Sequence, residues 1–216
     1  MPVSQRRGSI ANAGGSASAS TIAFVRTVDK KTNNNTLSVP AAGCALGNTI
    51  IVTAITNGTS PLTGVSDSKG NTYVVDKTAN AAVNGSVTLA HSVLTAALVS
   101  GDTLTLTFAG GDSRVSLAQE FSGISAFDKD ASANATSTTV DTGNTAALTN
   151  TGELYIAGIR TGAAALTDVT TGLTNAGDDF NSYYFRYKVL GATTAAVSYQ
   201  GTCASTEWVA VVGTYK

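Results

Sequence analysis

From Ser20 onward the chain alternates apolar and polar residues in short runs rich in Thr, Val and Ile, broken by Gly, Asn and Asp. Period-two alternation places successive side chains on opposite faces of an extended backbone, so the pattern predicts a series of antiparallel strands. The clearest runs are 20–28, 48–56, 72–76, 86–95, 102–108, 113–121, 153–160, 182–190, 194–199 and 206–215. Weaker ones at 35–39, 63–67, 137–141 and 166–170 bring the expected total to about fourteen, enough for two packed sheets. Ile22, Phe24 and Arg26 are expected on one face of the first strand, and Ile50-Ile51-Val52 forms a nearly continuous apolar run in the second. Trp208, followed by Val209-Ala210-Val211-Val212, is expected buried in the closing strand. No stretch carries the 3.6-residue periodicity of an amphipathic helix. The fold class that follows is all-β: an antiparallel β-sandwich, jelly-roll-like, with an extended N-terminal arm.

The punctuation has stereochemical content. In Asp67-Ser68-Lys69-Gly70-Asn71-Thr72, Gly70 and Asn71 tolerate positive φ, which predicts a tight reversal before Tyr73-Val74-Val75. Ser100-Gly101-Asp102 and Gly110-Gly111-Asp112 bracket the strand 102–108 in the same way. A faint echo links 47–54 with 151–158, each a glycine turn leading into an apolar strand. A single sandwich domain over 20–216 is expected. The Asp/Ser/Ala/Thr/Asn stretch 128–152 is either a long loop or a boundary between two halves.

Residues 1–19 differ from the rest. Met-Pro-Val-Ser-Gln-Arg-Arg leads into a Gly/Ser/Ala/Asn tract with little to bury beyond Ile10, the composition of a flexible arm. No apolar signal-peptide core follows Arg6 and Arg7, so synthesis and retention in a cytoplasm is the simpler expectation. Charged residues make up only 12% of the chain, and 13 basic against 14 acidic residues leave a formal net charge of −1. Such a balance gives no overall field toward nucleic acid or anionic lipid. The apolar runs also fall far short of the ~20 residues of a membrane-crossing helix. Neither nucleic acid nor membrane is an expected partner.

Candidate chemistry is sparse. The one histidine, His91, lies inside a strand with no nucleophile or orienting acid signalled beside it. Ser125 in Gly123-Ile124-Ser125-Ala126-Phe127 lacks the second glycine of a nucleophile elbow. Asp128 with Asp130, Asp178 with Asp179, or Glu120 with Glu153 are the carboxylate pairs a glycosidase would need, but acidic pairs in polar loops are usually solvated turn residues. Oxygens of Asp67, Asn71, Asp128, Asp130, Asp178 and Asp179 are candidates for calcium, yet none follows the spaced acidic loop of a dedicated site. Cys44 and Cys203 lack any zinc-ligand spacing, and their pairing across the sandwich stays open. The expectation is therefore no catalytic residue, no bound metal and no cofactor. Among the aromatics 180–187, Tyr183, Phe185 and Tyr187 share one strand face and Tyr184 the other, so an exposed member is a candidate for stacking on a sugar ring. Tyr183 and Tyr184 are the glycan-contact candidates.

Taken in order, Ile22-Ala23-Phe24-Val25, Gly47-Asn48-Thr49-Ile50-Ile51-Val52, Val65-Ser66-Asp67-Ser68-Lys69-Gly70-Asn71-Thr72-Tyr73, Gly101-Asp102-Thr103-Leu104, Glu120-Phe121-Ser122-Gly123 and Trp208-Val209-Ala210 cover nearly everything from residue 20 on. In these strand-turn signatures the chain resembles β-sandwich proteins of tailed-phage virions, found as capsid-decoration proteins and as tail fibre or spike modules. The resemblance implies a structural virion protein made in the host cytoplasm, a homo-oligomer such as a trimer, and a major capsid or tail protein as partner. It carries over no catalytic residues. Docking is expected through the arm, with Gln5, Arg6 and Arg7 meeting the partner surface. The alternative is a carbohydrate-binding or adhesive module of tail-fibre, spike or cell-surface type.

Overall fold

The structure, a computed structural model, describes residues 21–162, 165–177 and 182–216. The arm, with Gln5, Arg6 and Arg7, lies outside the described residues, as do Asp178, Asp179, Phe180 and Asn181. Fourteen strands and no helix are present among the described residues, in antiparallel sheets packed together. The all-β sandwich expected from the alternation is what the chain forms.

The first eight strands are β1 (Ala23–Thr32), β2 (Thr36–Ser38), β3 (Thr49–Thr56), β4 (Leu62–Asp67), β5 (Val74–Asn80), β6 (Ser86–Val93), β7 (Thr103–Phe108) and β8 (Arg114–Ser122). A jelly roll is a long antiparallel hairpin wrapped on itself, so its first strand pairs with the eighth, the second with the seventh and the third with the sixth. All three pairings are present. Wrapping adds β8 beside β3 and β7 beside β4, giving sheets ordered β1-β8-β3-β6-β5 and β2-β7-β4. The departure from the pattern is β5, which pairs with β6 at the edge of the larger sheet.

The remaining strands build a third sheet: β9 (Phe127–Asp141), β10 (Leu154–Thr161), β11 (Leu166–Asp168), β12 (Thr174–Asn175), β13 (Tyr183–Val189) and β14 (Gln200–Tyr215). Here β14 is central, flanked by β9 on one side and by β10 and β11 on the other, with β13 and β12 beyond β10.

Three apolar layers follow from period-two alternation. On β3, Ile50, Val52 and Ala54 enter a cluster with Leu37, Leu104 and Leu106 inside the jelly roll. Ile51 and Ile55 point the other way, into a layer shared with Leu154, Ile156, Val209 and Val211 of the third sheet. The outer face of that sheet carries Tyr155, Trp208, Ala210 and Val212, covered by Val140, Leu148, Leu190 and Tyr199. The continuous apolar run of β3 therefore reflects burial on both faces, with each Ile or Val contributing about 1.5–3 kcal/mol. The echo has a structural counterpart, since β3 and β10 are both fully buried central strands entered through left-handed glycines, Gly47 and Gly152. Trp208 is buried as expected, its indole N–H donating to Ser137 Oγ at 2.9 Å.

Several expectations need correction. Arg26 does not share the face of Ile22 and Phe24: the register shifts between Phe24 and Arg26, so Ile22 and Phe24 pack on the layer of Phe121 and Tyr187 while Arg26 pairs with Glu120. The stretch 128–152, read as a long loop or a boundary apart from the weak strand 137–141, holds all but the first residue of the 15-residue strand β9, held in place by β14. Residues 194–199 form no strand; the carbonyls of Thr194, Val197 and Tyr199 accept from Leu148, Thr145 and Thr142 N–H, while the N–H groups of Val197 and Tyr199 donate to the Thr145 and Thr142 hydroxyls rather than to a ladder. β14 starts at Gln200 rather than 206, because β9 and β11 supply ladder partners that its polar start does not advertise. Cys44 and Cys203 are free thiols in different apolar layers.

Candidate ligand-binding cleft

Four alternate connections of the jelly roll, β1–β2, β3–β4, β5–β6 and β7–β8, meet at one end of the molecule. They bring Asn33, Asn57, Asn84 and Ser113-Arg114 to the rim of a cleft of about 490 Å³. The end of β10 and the start of β13 close its other wall with Arg160, Gly162, Ser182 and Tyr183. The cleft thus lies on the seam between the jelly roll and the third sheet.

Its walls are tied together by hydrogen bonds across the loops. Asn33 N–H donates to Arg114 O and Arg114 N–H donates back to Asn33 Oδ1, both at 2.9 Å. Asn57 N–H donates to Ser113 O at 2.7 Å, and its Oδ1 accepts from Arg160 Nη2. Glu207 reaches from β14 to accept from Val83 and Asn84 N–H at 2.9 and 2.8 Å, holding the β5–β6 turn against the third sheet.

Two features mark this end as unusual. The only non-glycine residues with positive φ among the described residues are Asn33, at 51°, and Ser182, at 84°, and both line the cleft. Asn tolerates this region, whereas a serine there stores about 1–3 kcal/mol of strain, which tends to occur at functional sites. Arg160, only 6% exposed, lies with its guanidinium carbon 5.8 Å from the Tyr183 ring centre and donates through Nη1 to Thr161 O at 3.2 Å. Its Nε, like that of Arg114, has no hydrogen-bond partner. Gly85 makes room for it, because a Cβ there would meet Arg160 Cδ at 2.5 Å. Burial raises the Tyr183 phenol above its ordinary pKa, with Arg160 acting against the rise. The cleft is lined by amides, hydroxyls and guanidinium groups, and its described lining includes no carboxylate, imidazole or thiol. Amides, hydroxyls and guanidinium groups are donors and acceptors suited to polar ligands.

The sequence-predicted aromatics fall differently from expectation. Tyr183 and Tyr184 are 7% and 6% exposed, because the third sheet is covered on both faces. Tyr183 borders the cleft, while Tyr184 accepts from Leu166 N–H through its hydroxyl and packs in the outer layer. Neither presents an open ring face for stacking. The three asparagines and two arginines of the cleft were not singled out from sequence, since each looks like an ordinary turn or strand-end residue until the wrapping brings them together.

The other candidate groups are committed within the protein. His91 does have an orienting acid, Asp76, at 2.7 Å, and Tyr215 donates to the same carboxylate at 3.0 Å. Asp76 sits where the β5–β6 register shifts, a bulge that turns it toward β14. Glu120, fully buried, pairs with Arg26 at 2.8 Å and accepts from Ala45 N–H, remote from Glu153 in sheet and layer. Asp67 accepts from Lys69 N–H, from Asn71 and from Tyr73, while Asn71 Oδ1 accepts from Thr95 and Ala96. Asp130 pairs with Lys77 at 2.6 Å. Asp128 accepts from Thr149 and Lys216; burial works to raise its pKa, but these donors outweigh it and hold the carboxyl well below the ordinary range. Burial, with the Asp128 charge adding to it, raises Glu153. Ser125 Oγ donates to Lys216 O. Among the described residues no group of three or more His, Cys, Asp and Glu converges as a metal site would require.

No family model matches the chain, and comparison with curated proteins and with solved structures gives no match.

Proposed function

We propose that this chain is a structural protein of a bacteriophage virion, a capsid-decoration protein in the first instance, that works by packing against copies of itself and docking on a major capsid or tail protein. The observation that carries the reading is the edge of β9. From Ala131 to Val140 this strand has no charged residue and no proline, and among the described residues it pairs only with β14. Sheet proteins normally protect such an edge with charge, proline or a cover, because its free N–H and C=O groups invite another strand. An open, uncharged edge fits a protein whose neighbour supplies the missing partner, and the occupant proposed is a second copy of this chain. The jelly-roll wrapping and the weakly charged surface support the same reading.

Docking through residues 1–19 rests on sequence. Gln5, Arg6 and Arg7 have the forked and amide donors that suit a carbonyl-rich or acidic surface. The test is co-sedimentation of the purified protein with particles assembled by the phage or prophage that encodes it. Full-length protein is expected to saturate at a fixed number of sites, and a variant lacking 2–19 to stay folded and fail to sediment. The adhesive-module alternative loses its stacking platform on Tyr183 and Tyr184, leaving the cleft as the place where a saccharide would bind.

A further inference from the structure

We propose that the cleft at the jelly-roll end is a binding site for a carboxylated sugar, the uronic-acid type of unit found in acidic polysaccharides. The inference does not depend on the particle reading, since binding is a property of the isolated chain.

Arg160 is a charged group with nine-tenths of its surface buried, its Nη1 and Nη2 held by Thr161 O and Asn57 Oδ1 and its unpartnered Nε closed off from solvent, in a wall that holds no acidic group among the described residues. Arg114, the first residue of β8, brings a second guanidinium to the cleft, half-buried, lying over the Phe108 ring and donating to Gly110 O. A guanidinium held in low-dielectric surroundings without a carboxylate favours an incoming anion, and its planar fork matches a carboxylate's two oxygens. The anion does not account for the rest of the cleft. A volume of about 490 Å³ exceeds what one small ion fills, and pockets for small organic ligands run from about 300 Å³ upward. Asn33 and Asn84 bring side-chain amides to the rim, and each amide both donates and accepts, as ring hydroxyls require. Strain at Ser182 holds one of the rim residues in a conformation that a serine rarely adopts. A carboxylate flanked by hydroxyls on a ring uses both halves of this lining.

The test is calorimetric titration of the 216-residue protein with a galacturonate trisaccharide, its methyl ester and inorganic phosphate. A hydrogen bond to a charged group contributes about 1.5–3 kcal/mol, so the acid form is expected to bind at least ~10-fold more tightly than the ester. Arg114→Gln and Asn84→Ala, on opposite sides of the rim, should each weaken binding of the acid form several-fold while leaving the far-ultraviolet circular dichroism and the Trp208 emission unchanged. Arg160→Gln should abolish binding; if it unfolds the chain, the other two variants decide. No heat with millimolar trisaccharide overturns the proposal, as does equal affinity for acid and ester or binding unchanged in both variants. Phosphate binding as tightly as the trisaccharide overturns the sugar assignment.

Discussion

Gly158 on β10 faces Val87 on β6 so closely that a Cβ on the glycine would lie 2.7 Å from Val87 Cγ1. Thr53 Cγ2 would be 2.9 Å away on the other side. The third sheet and the jelly roll meet at this point with no room for a methyl group, and the two neighbours are β-branched and stiff about χ1. Gly158→Ala should therefore destabilise by about 1–3 kcal/mol through overpacking. Urea denaturation would show it as a lower midpoint with an unchanged slope; a variant as stable as the parent would mean that the two sheets are not packed as described.

Asp128 makes stability depend on acid pH. Its folded-state pKa lies below the unfolded value of about 3.9, so the folded chain binds fewer protons there. The stability it contributes is complete above the unfolded value and is lost as pH falls through the folded one. Glu153 works in the opposite direction: its raised pKa contributes stability below about 4.3 that disappears as pH rises through the folded value. In denaturation curves between pH 7 and pH 2, Asp128→Asn should be less stable at neutrality and lose less on acidification. Glu153→Gln should lose the decline on the alkaline side. Parallel curves for all three proteins would contradict the assignment.

The two thiols should be kinetically distinct. Burial, reinforced by the neighbouring Glu120 charge, pushes the Cys44 thiol up to about 12, whereas Cys203 is partly exposed and raised by burial alone. The thiolate is the reactive form. Disulfide-exchange labelling of the native protein should modify Cys203 first, with Cys44 reacting only after unfolding. Equal rates, or absence of free thiols in the denatured protein, would contradict this arrangement.

The β9 edge predicts self-association. Thr136 and Thr138 are exposed on it, and replacing both with lysine places charge on an edge that has none between Ala131 and Val140. Light scattering should find the parent chain as an oligomer at high concentration and Thr136→Lys/Thr138→Lys as a monomer. A monomeric parent, or a variant that associates equally, would remove the role given to this edge.

How far the sequence disclosed these features depends on what each residue's surroundings contributed. β3 was legible from its continuous apolar run and β7 from its alternation and bounding glycines, because these signals are local. Of the 15-residue β9 only the end, 137–141, was legible: its Ser, Ala, Asn and Thr have no apolar period, and the rest is a strand because β14 supplies its ladder. Tyr183 and Tyr184 were legible as opposite faces of one strand, but the jelly roll packed on one face of the third sheet and the coil over the other decided that both are buried. The cleft was invisible for a related reason: Asn33, Asn57 and Asn84 are separated along the chain and converge only through jelly-roll wrapping. Asp76 reaches His91 and Tyr215 only because a bulge reorients it.

The central claim is that the chain belongs to a virion, and the most direct measurement is its copy number in purified particles. Particles banded on a density gradient and analysed by quantitative mass spectrometry should contain it at a fixed stoichiometric ratio to the major capsid or tail protein, retained after a high-salt wash. Its absence from the banded particles, or a trace amount that varies between preparations, would contradict the claim.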